Sequence, residues 1–176
     1  MCVHSRTDVV DSQFNELKFS NEVKMSTVEE RLKSEGLEIS ECPIPMNSYI
    51  PAKRAGNFVF ASGQCSIQDG KLLYSGKIGD DIDESDGYKS AAIAALRCIS
   101  TLRSVADLDK LSIVKVNGYV QGIDNFANQA AVVNGASDLF VKAFGQRGRH
   151  ARVALGIAGL PLNASVEIEV IAYIEE

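Results

Sequence analysis

Two stretches of this chain place apolar residues at every third or fourth position, and a stretch between them places them at every second position. In the first, Tyr88, Ala92, Ala95, Ile99, Leu102 and Ala106 fall on one side of a helix. Asp83-Glu84-Ser85-Asp86 supplies capping and acidic residues at its start. This helix is expected to run to about Val105, and its many alanines suggest close packing on a sheet. In the second, Phe126, Ala130, Val133 and Phe140 make one stripe, widened by Val132, Ala136, Leu139 and Ala143. Asp124 is expected to cap it and Gly145 to end it. Between the two, Ser112–Val120 alternates Val114, Val116 and Val120 against Lys115 and Asn117, the period of a half-buried strand. Asn57–Ser62 is a further strand, expected to end at Gly63, and QDGKLLYSG reads as a hairpin turning at Asp69-Gly70. Strand patterns over Arg152–Ala158 and Val166–Ala172 close the chain. The order implies an α+β domain, one mixed sheet with two helices packed on one face.

The 176 residues suit one domain. Ser26 and Thr27, each followed three positions on by Glu29 and Glu30, form overlapping capping boxes. A short helix is therefore expected from about Thr27 to Ser34, stopped by Gly36. Residues 1–24 have mixed polarity and no period. They are expected to be a flexible extension, dispensable for stability, ahead of a single domain over 25–176. They lack the apolar stretch of a secretory signal, and no apolar run approaches the roughly 20 residues that span a bilayer. A net charge of −5 and a pI of about 5.1 disfavour nucleic acid and anionic membranes as partners. Cys2, Cys42, Cys65 and Cys98 are widely spaced and form no CxxC; His4 and His150 are the two histidines, so no zinc site is expected. The cysteines read as reduced thiols of a cytoplasmic protein.

Arg152 is followed by no further basic residue, while Glu167 and Glu169 sit in the last strand. Alternation puts Val153, Leu155 and Ile157 on one face and Arg152, Ala154, Gly156 and Ala158 on the other. In the last strand it separates Val166, Ile168, Val170 and Ala172 from Ser165, Glu167, Glu169, Ile171 and Tyr173. A short turn, Gly159–Asn163, joins the two strands, so antiparallel pairing is expected, with both apolar rows against the helices. That register sets Arg152 on the same face as Glu167 and Glu169, and the small Ala154 and Gly156 leave room above the strand. A buried arginine needs a charge partner or a bound anion. Two readings stay open: a structural ion pair from Arg152 to Glu167 or Glu169, and a guanidinium fork that grips a carboxylate, with a glutamate nearby to orient water.

The run His150-Ala-Arg-Val-Ala-Leu-Gly-Ile-Ala-Gly-Leu-Pro-Leu-Asn-Ala-Ser-Val-Glu-Ile-Glu resembles the C-terminal signature of the Rid/YjgF family, also labelled endoribonuclease L-PSP. Asn47-Ser48-Tyr49-Ile50-Pro51 resembles its G-P-Y segment, Gly56-Asn57 with Ala61-Ser62-Gly63-Gln64 its G-N and S-G-Q strand, and Val133-Asn134 its V-N. The likeness covers about residues 45–175. It implies a chorismate-mutase-like fold, a homotrimer with clefts between subunits, and hydrolysis of amino-acid-derived enamines or imines to 2-keto acids and ammonia. It implies a small carboxylate-bearing substrate and no metal or cofactor. By the same resemblance Arg152 holds the carboxylate, Glu167 places the water, and Tyr49, Ser62, Asn134 and Ala154 line the site. Ala154 stands where the family often has cysteine, and Asn47-Ser48 replaces glycine-proline. The Gly145–Arg149 run and the longer N-terminus resemble a longer subgroup.

Several residues carry two readings. Arg147, Arg149 and His150 form either a solvated basic loop or a steering patch for an anion. Tyr49 is a packed edge tyrosine or a ligand contact. Ser62 has no His/Asp partner in the sequence, which excludes a hydrolase triad. Cys65 reads as a buried thiol rather than a reactive one. A non-catalytic binding protein on the same scaffold is the alternative to the deaminase. A ribonuclease or translation inhibitor fits the acidic composition least.

Overall fold

The computed structural model describes residues 27–44 and 47–176, so the expectations for residues 1–24 lie outside it. Helix α1 (Val28–Ser34) opens on one of the two capping boxes: the Thr27 hydroxyl accepts the Glu30 amide and the Glu30 carboxylate accepts the Thr27 amide. Strands β1 (Ala52–Ala55) and β2 (Phe58–Cys65) form an antiparallel hairpin. A second small hairpin, β3 (Ile67–Gln68) and β4 (Lys71–Leu72), turns through Asp69 and Gly70, both at positive φ, as its Asp-Gly pair requires. Then come α2 (Glu84–Arg103), β5 (Leu111–Gln121), α3 (Gln129–Phe144), β6 (Ala151–Ile157) and β7 (Val166–Ile174).

Asp83 caps α2 as expected, accepting the Asp86 amide. Asp124 does not cap α3, which starts later, at Gln129. The chain between turns at Asn125, which takes φ 68. Asn128 stands at the cap position, but its side chain donates instead to Glu84 on α2.

The main sheet runs β1-β2-β7-β5-β6. Here one expectation is overturned. β6 does not pair with β7; it lies at the sheet edge, parallel to β5, and β7 pairs antiparallel with β5 and β2. The physical reason is the helix between β5 and β6, since a strand–helix–strand unit returns its second strand parallel to its first.

Both helices cover one face of the sheet. Val59, Ala61, Leu111, Ile113, Val116, Val120, Val166, Ile168, Val170 and Ala172 are buried there. The helices approach closely at Gly135, where a Cβ would lie 2.0 Å from the Tyr88 carbonyl oxygen of α2. Under α2 the hydroxyls of Ser165, Ser90 and Ser66 form a buried chain, with links of 2.9 and 3.0 Å, so no hydroxyl there lacks a partner. Among the described residues no helix lies on the opposite face. It carries Phe58 and Phe60, each 43% exposed, with Tyr173 packed edge-on against Phe58 at 5.2 Å.

Candidate functional site

Arg152 lies opposite Val116 in the β5–β6 ladder, and Val116 faces the helices. Arg152 therefore points to the helix side of the edge strand, not to the face of Glu167 and Glu169. The row Arg152-Ala154-Gly156 is small because α3 lies over it: a Cβ on Gly156 would meet the Gln129 amide nitrogen at 2.9 Å, and Ala154 packs against the core. The room expected above the strand is filled by the helix. Val153 and Leu155 instead face the uncovered side, beside Asn117 and Tyr119.

Helix α3 holds the guanidinium. Nη1 donates to Asn134 Oδ1 at 2.8 Å and to Ser137 Oγ at 3.0 Å, and Nη2 donates to the Ala130 carbonyl at 3.4 Å. A guanidinium has five N–H groups. Among the described residues these three bonds leave one hydrogen on Nη2 and the one on Nε unspent, donors of the kind a carboxylate takes. Among the described residues the ion pairs are Lys89–Asp86, Arg103–Glu29 and Lys142–Glu35, so Arg152 has no carboxylate partner there. The intrasubunit pair to Glu167 or Glu169 does not form.

Glu167 sits on the uncovered face, opposite Cys65 of β2 and Tyr119 of β5. Strand β2 bulges between Ala61 and Gln64, and Gly63 within the bulge leaves the space that the Glu167 carboxylate occupies: a Cβ there would meet Oε1 at 1.8 Å. Gly63 does not end the strand, as expected from sequence, but kinks it. Glu169 is committed elsewhere, accepting the Tyr119 hydroxyl at 3.0 Å and the Asn117 amide at 3.4 Å. Burial raises the Glu167 pKa; the contact with Cys65 lowers it and the Glu169 charge adds to the rise. The Cys65 thiol, 3.9 Å from Glu167 Oε2, is pushed up to about 12, first by burial and then by Glu167. It stays protonated at neutral pH, a neighbour of the carboxylate rather than a nucleophile.

The Glu167 shift has a sign in stability. A carboxyl with a raised folded pKa binds its proton more tightly in the folded chain, a contribution present below the ordinary carboxylate range and lost as pH rises through the raised value. Glu167→Gln is neutral at every pH. It is expected to melt higher than wild type at neutral pH, with the difference shrinking toward pH ~3, below the ordinary glutamate pKa of about 4.3, where Glu167 is protonated in both states. Thermal melts at the two pH values check this.

Ser62 Oγ donates to the Ile50 carbonyl at 2.8 Å, and the Ser62 amide donates to Pro51 at 2.8 Å. The serine thus fastens the segment bearing Tyr49, 51% exposed, beside the bulge. Tyr49, Ser62, Gly63 and Glu167 belong to one side of the molecule, and Arg152, Asn134 and Ala154 to the other, with β5 between.

The basic loop divides. Arg147 donates to the carbonyls of Asp109 and Leu111 and ties the loop to the start of β5. Arg149 is exposed. His150 is half-buried, edge-on to Phe140 at 5.9 Å, with Nδ1 2.6 Å from the Gly148 carbonyl and Nε2 3.0 Å from Ser137 Oγ. Ser137 and His150, as partners of Arg152, escape sequence reasoning, although Ser137 falls three residues after Asn134 on the same helical face and His150 two before Arg152. On the glutamate side, Gly63, Asn117 and Tyr119 acquire their roles only from the strand register.

Comparison with known proteins supplies a family and its fold. The profile of the YjgF/chorismate-mutase-like family, whose description carries an endoribonuclease label, matches residues 29–174. Protein TCP17 of Trypanosoma cruzi is 33% identical over 150 residues, covering 84% of this chain and 94% of that protein. A 2-iminobutanoate/2-iminopropanoate deaminase of Dermatophagoides farinae is 30% identical over 135 residues, covering 76% of this chain and 91% of that one. Among solved structures, Atu1372 of Agrobacterium tumefaciens, titled as of unknown function, superposes with a TM-score of 0.78 at 37% identity, covering 84% of this chain and 92% of that one.

Proposed function

The chain belongs to the YjgF/chorismate-mutase-like family, and from that premise we propose that it hydrolyses the enamine or imine forms of amino-acid-derived 2-imino acids to 2-keto acids and ammonia, as a homotrimer with sites between subunits. One observation carries this reading: a guanidinium with two donors unspent among the described residues and a carboxylate of raised pKa lie on opposite faces of one sheet. A single subunit cannot bring both to one small molecule. A second copy, laid across the uncovered face with its Phe58, Phe60 and Tyr173, would do so and would bury those rings.

In the proposed site the unspent Nε and Nη2 donors of Arg152 hold the substrate carboxylate. The neighbouring subunit brings Glu167 over Gly63, with Tyr49 at the rim. The substrate reacts as its protonated imine. Glu167 accepts a proton from water as the oxygen bonds to the iminium carbon and the C=N electron pair returns to nitrogen. The carboxyl then gives that proton to the amine of the tetrahedral adduct, and the C–N bond breaks to release ammonia as the hydroxyl passes its proton to the Glu167 carboxylate and C=O forms. A pKa above the usual carboxylate range suits a group that must both take and give a proton. The substrate is already electrophilic, so positioning and one proton carrier are sufficient for the chemistry. The unpaired Cys42, Cys65 and Cys98 fit the reducing cytoplasm we propose as its location. The ribonuclease label of relatives fits poorly with a net charge of −5.

The test couples the protein to a serine or threonine dehydratase that generates the enamine in situ, and measures keto acid and ammonia release beside sedimentation. A faster release and a trimer are expected. No acceleration, or a monomer at micromolar concentration, refutes the reading.

A further inference from the structure

The Gly148 carbonyl can only accept, so the His150 Nδ1 at 2.6 Å carries the proton. In the neutral ring Nε2 is then an acceptor, and Ser137 Oγ, 3.0 Å away, must donate to it. The serine proton is thereby turned away from Arg152, and an oxygen lone pair faces Nη1 at 3.0 Å. The bonds run in one direction, from Arg152 to Ser137 to His150 to the Gly148 carbonyl. Asn134 takes the other Nη1 hydrogen at 2.8 Å. With Nη1 fixed on both its hydrogens, the plane of the guanidinium is fixed, and so are the donors left for a ligand.

We propose that Ser137 and His150 are positioning residues for Arg152, and that a second proton on His150 releases its guanidinium and weakens the binding of a substrate carboxylate. This rests on the reading of Arg152 given above. Protonation would put Nε2–H and Nη1–H against the same oxygen, with the serine proton displaced from its acceptor. It would also set an imidazolium beside a guanidinium.

The surroundings favour the neutral ring. Burial lowers the His150 pKa most, the Gly148 bond raises it, and Arg152 lowers it again. The other charged groups nearby are engaged elsewhere or exposed. On α3, Asp138 accepts from Tyr88 and Lys142 pairs with Glu35. Arg147 is on the Asp109 and Leu111 carbonyls, and Arg149 is exposed. Lys115 of β5 lies beside Ala151 on the other face of the sheet.

The test measures pyruvate affinity by calorimetry from about pH 7.5 down to 5. Wild type is expected to weaken on acidification, below the ordinary histidine pKa of about 6.5. Ser137→Ala and His150→Phe should bind about tenfold more weakly at neutral pH, the order of one lost hydrogen bond to a charged group, and should lose the acid-side weakening. Ser137→Thr, which keeps the hydroxyl, should restore both. Turnover adds a split: the relay variants raise KM, while the acid limb of kcat, set by Glu167, stays. A second readout needs no ligand: the guanidinium nitrogen resonances of Arg152 should show hindered rotation in wild type and free rotation in Ser137→Ala and His150→Phe. If Arg152→Ala binds pyruvate as wild type does, or wild type binds none, the carboxylate reading of Arg152 fails and the relay is judged on the resonances alone. If Arg152→Ala loses binding but Ser137→Ala and His150→Phe keep wild-type affinity, pH response and hindered rotation, the relay is refuted.

Discussion

Chains carrying Arg152→Ala and chains carrying Glu167→Gln, unfolded together in equal amounts and refolded as a mixture, are expected to recover about a quarter of the wild-type rate, because random assembly gives about one site in four an intact arginine from one subunit and an intact glutamate from its neighbour. Each variant alone should lose roughly ten- to a hundredfold or more, the effect of removing a charged hydrogen-bonding partner from the transition state. Arg152→Lys keeps the charge but not the fork, and should fall between Arg152→Ala and wild type. None of the three should melt much lower than wild type, since Arg152 has no carboxylate partner among the described residues that its loss would strand. The rates come from keto-acid release, and sedimentation confirms that the variants assemble. A mixture no faster than its two components would show that the two residues do not share an intersubunit site.

Gly135→Ala is expected to lower the melting temperature, although alanine is the better helix former by about 1 kcal/mol. The new Cβ would lie 2.0 Å from the Tyr88 carbonyl oxygen and 2.8 Å from its carbon. These are backbone atoms of a long helix, which cannot step aside as a side chain can. Overpacking of this kind costs about 1–3 kcal/mol and sometimes more. A net loss of about 2 kcal/mol would shift a chain of this length by about 4–8 °C. A thermal melt reads it, and a temperature equal to or above wild type would contradict the close approach of α2 and α3. The Tyr88 hydroxyl, bonded to Asp138 at 2.8 Å, is a second tie between the same helices.

Local signals in the sequence carried most of the elements. The Thr27–Glu30 box, the Asp69-Gly70 turn and the two helical stripes each depend on residues within one or two turns of chain, and each appears in the structure, the second helix from Gln129 rather than from Asp124. β1 escaped notice because Ala52–Ala55 is four residues with a mostly exposed pattern, too short to show a period. Asp124 misled because an acidic residue before a stripe looks the same whether it caps or merely turns the chain. The larger error was the partner of β6. A short connection after it suggested a hairpin, but the helix before it governs, and the strand went to the far side of β5. That one exchange moved Arg152 to the other face of the sheet. Its side-chain environment could not be read from alternation alone, because alternation fixes which residues share a face and not what lies over that face. Arg152 and Glu167 stand out in the charge pattern of the last two strands, while their separate roles, and Asn134, came from the family resemblance; Ser137, and His150 as its partner, became visible only when α3 was laid against β6.

Counting residues along β2 and β7 shows what the bulge is for. Ala61 stands opposite Val170 and Gln64 opposite Ile168, so β2 spends two residues, Ser62 and Gly63, where β7 spends one. A β2 shorter by that one glycine would keep every inward and outward assignment on both sides of it, and its ladder would be regular. The extra residue therefore adds nothing to the architecture. It behaves as an insertion kept for a purpose, a local irregularity in the sheet that opens a seat for one carboxylate. Fold and chemistry are separable here at the level of a single residue, and a designer starting from the regular sheet would have to add Gly63 back to install the second.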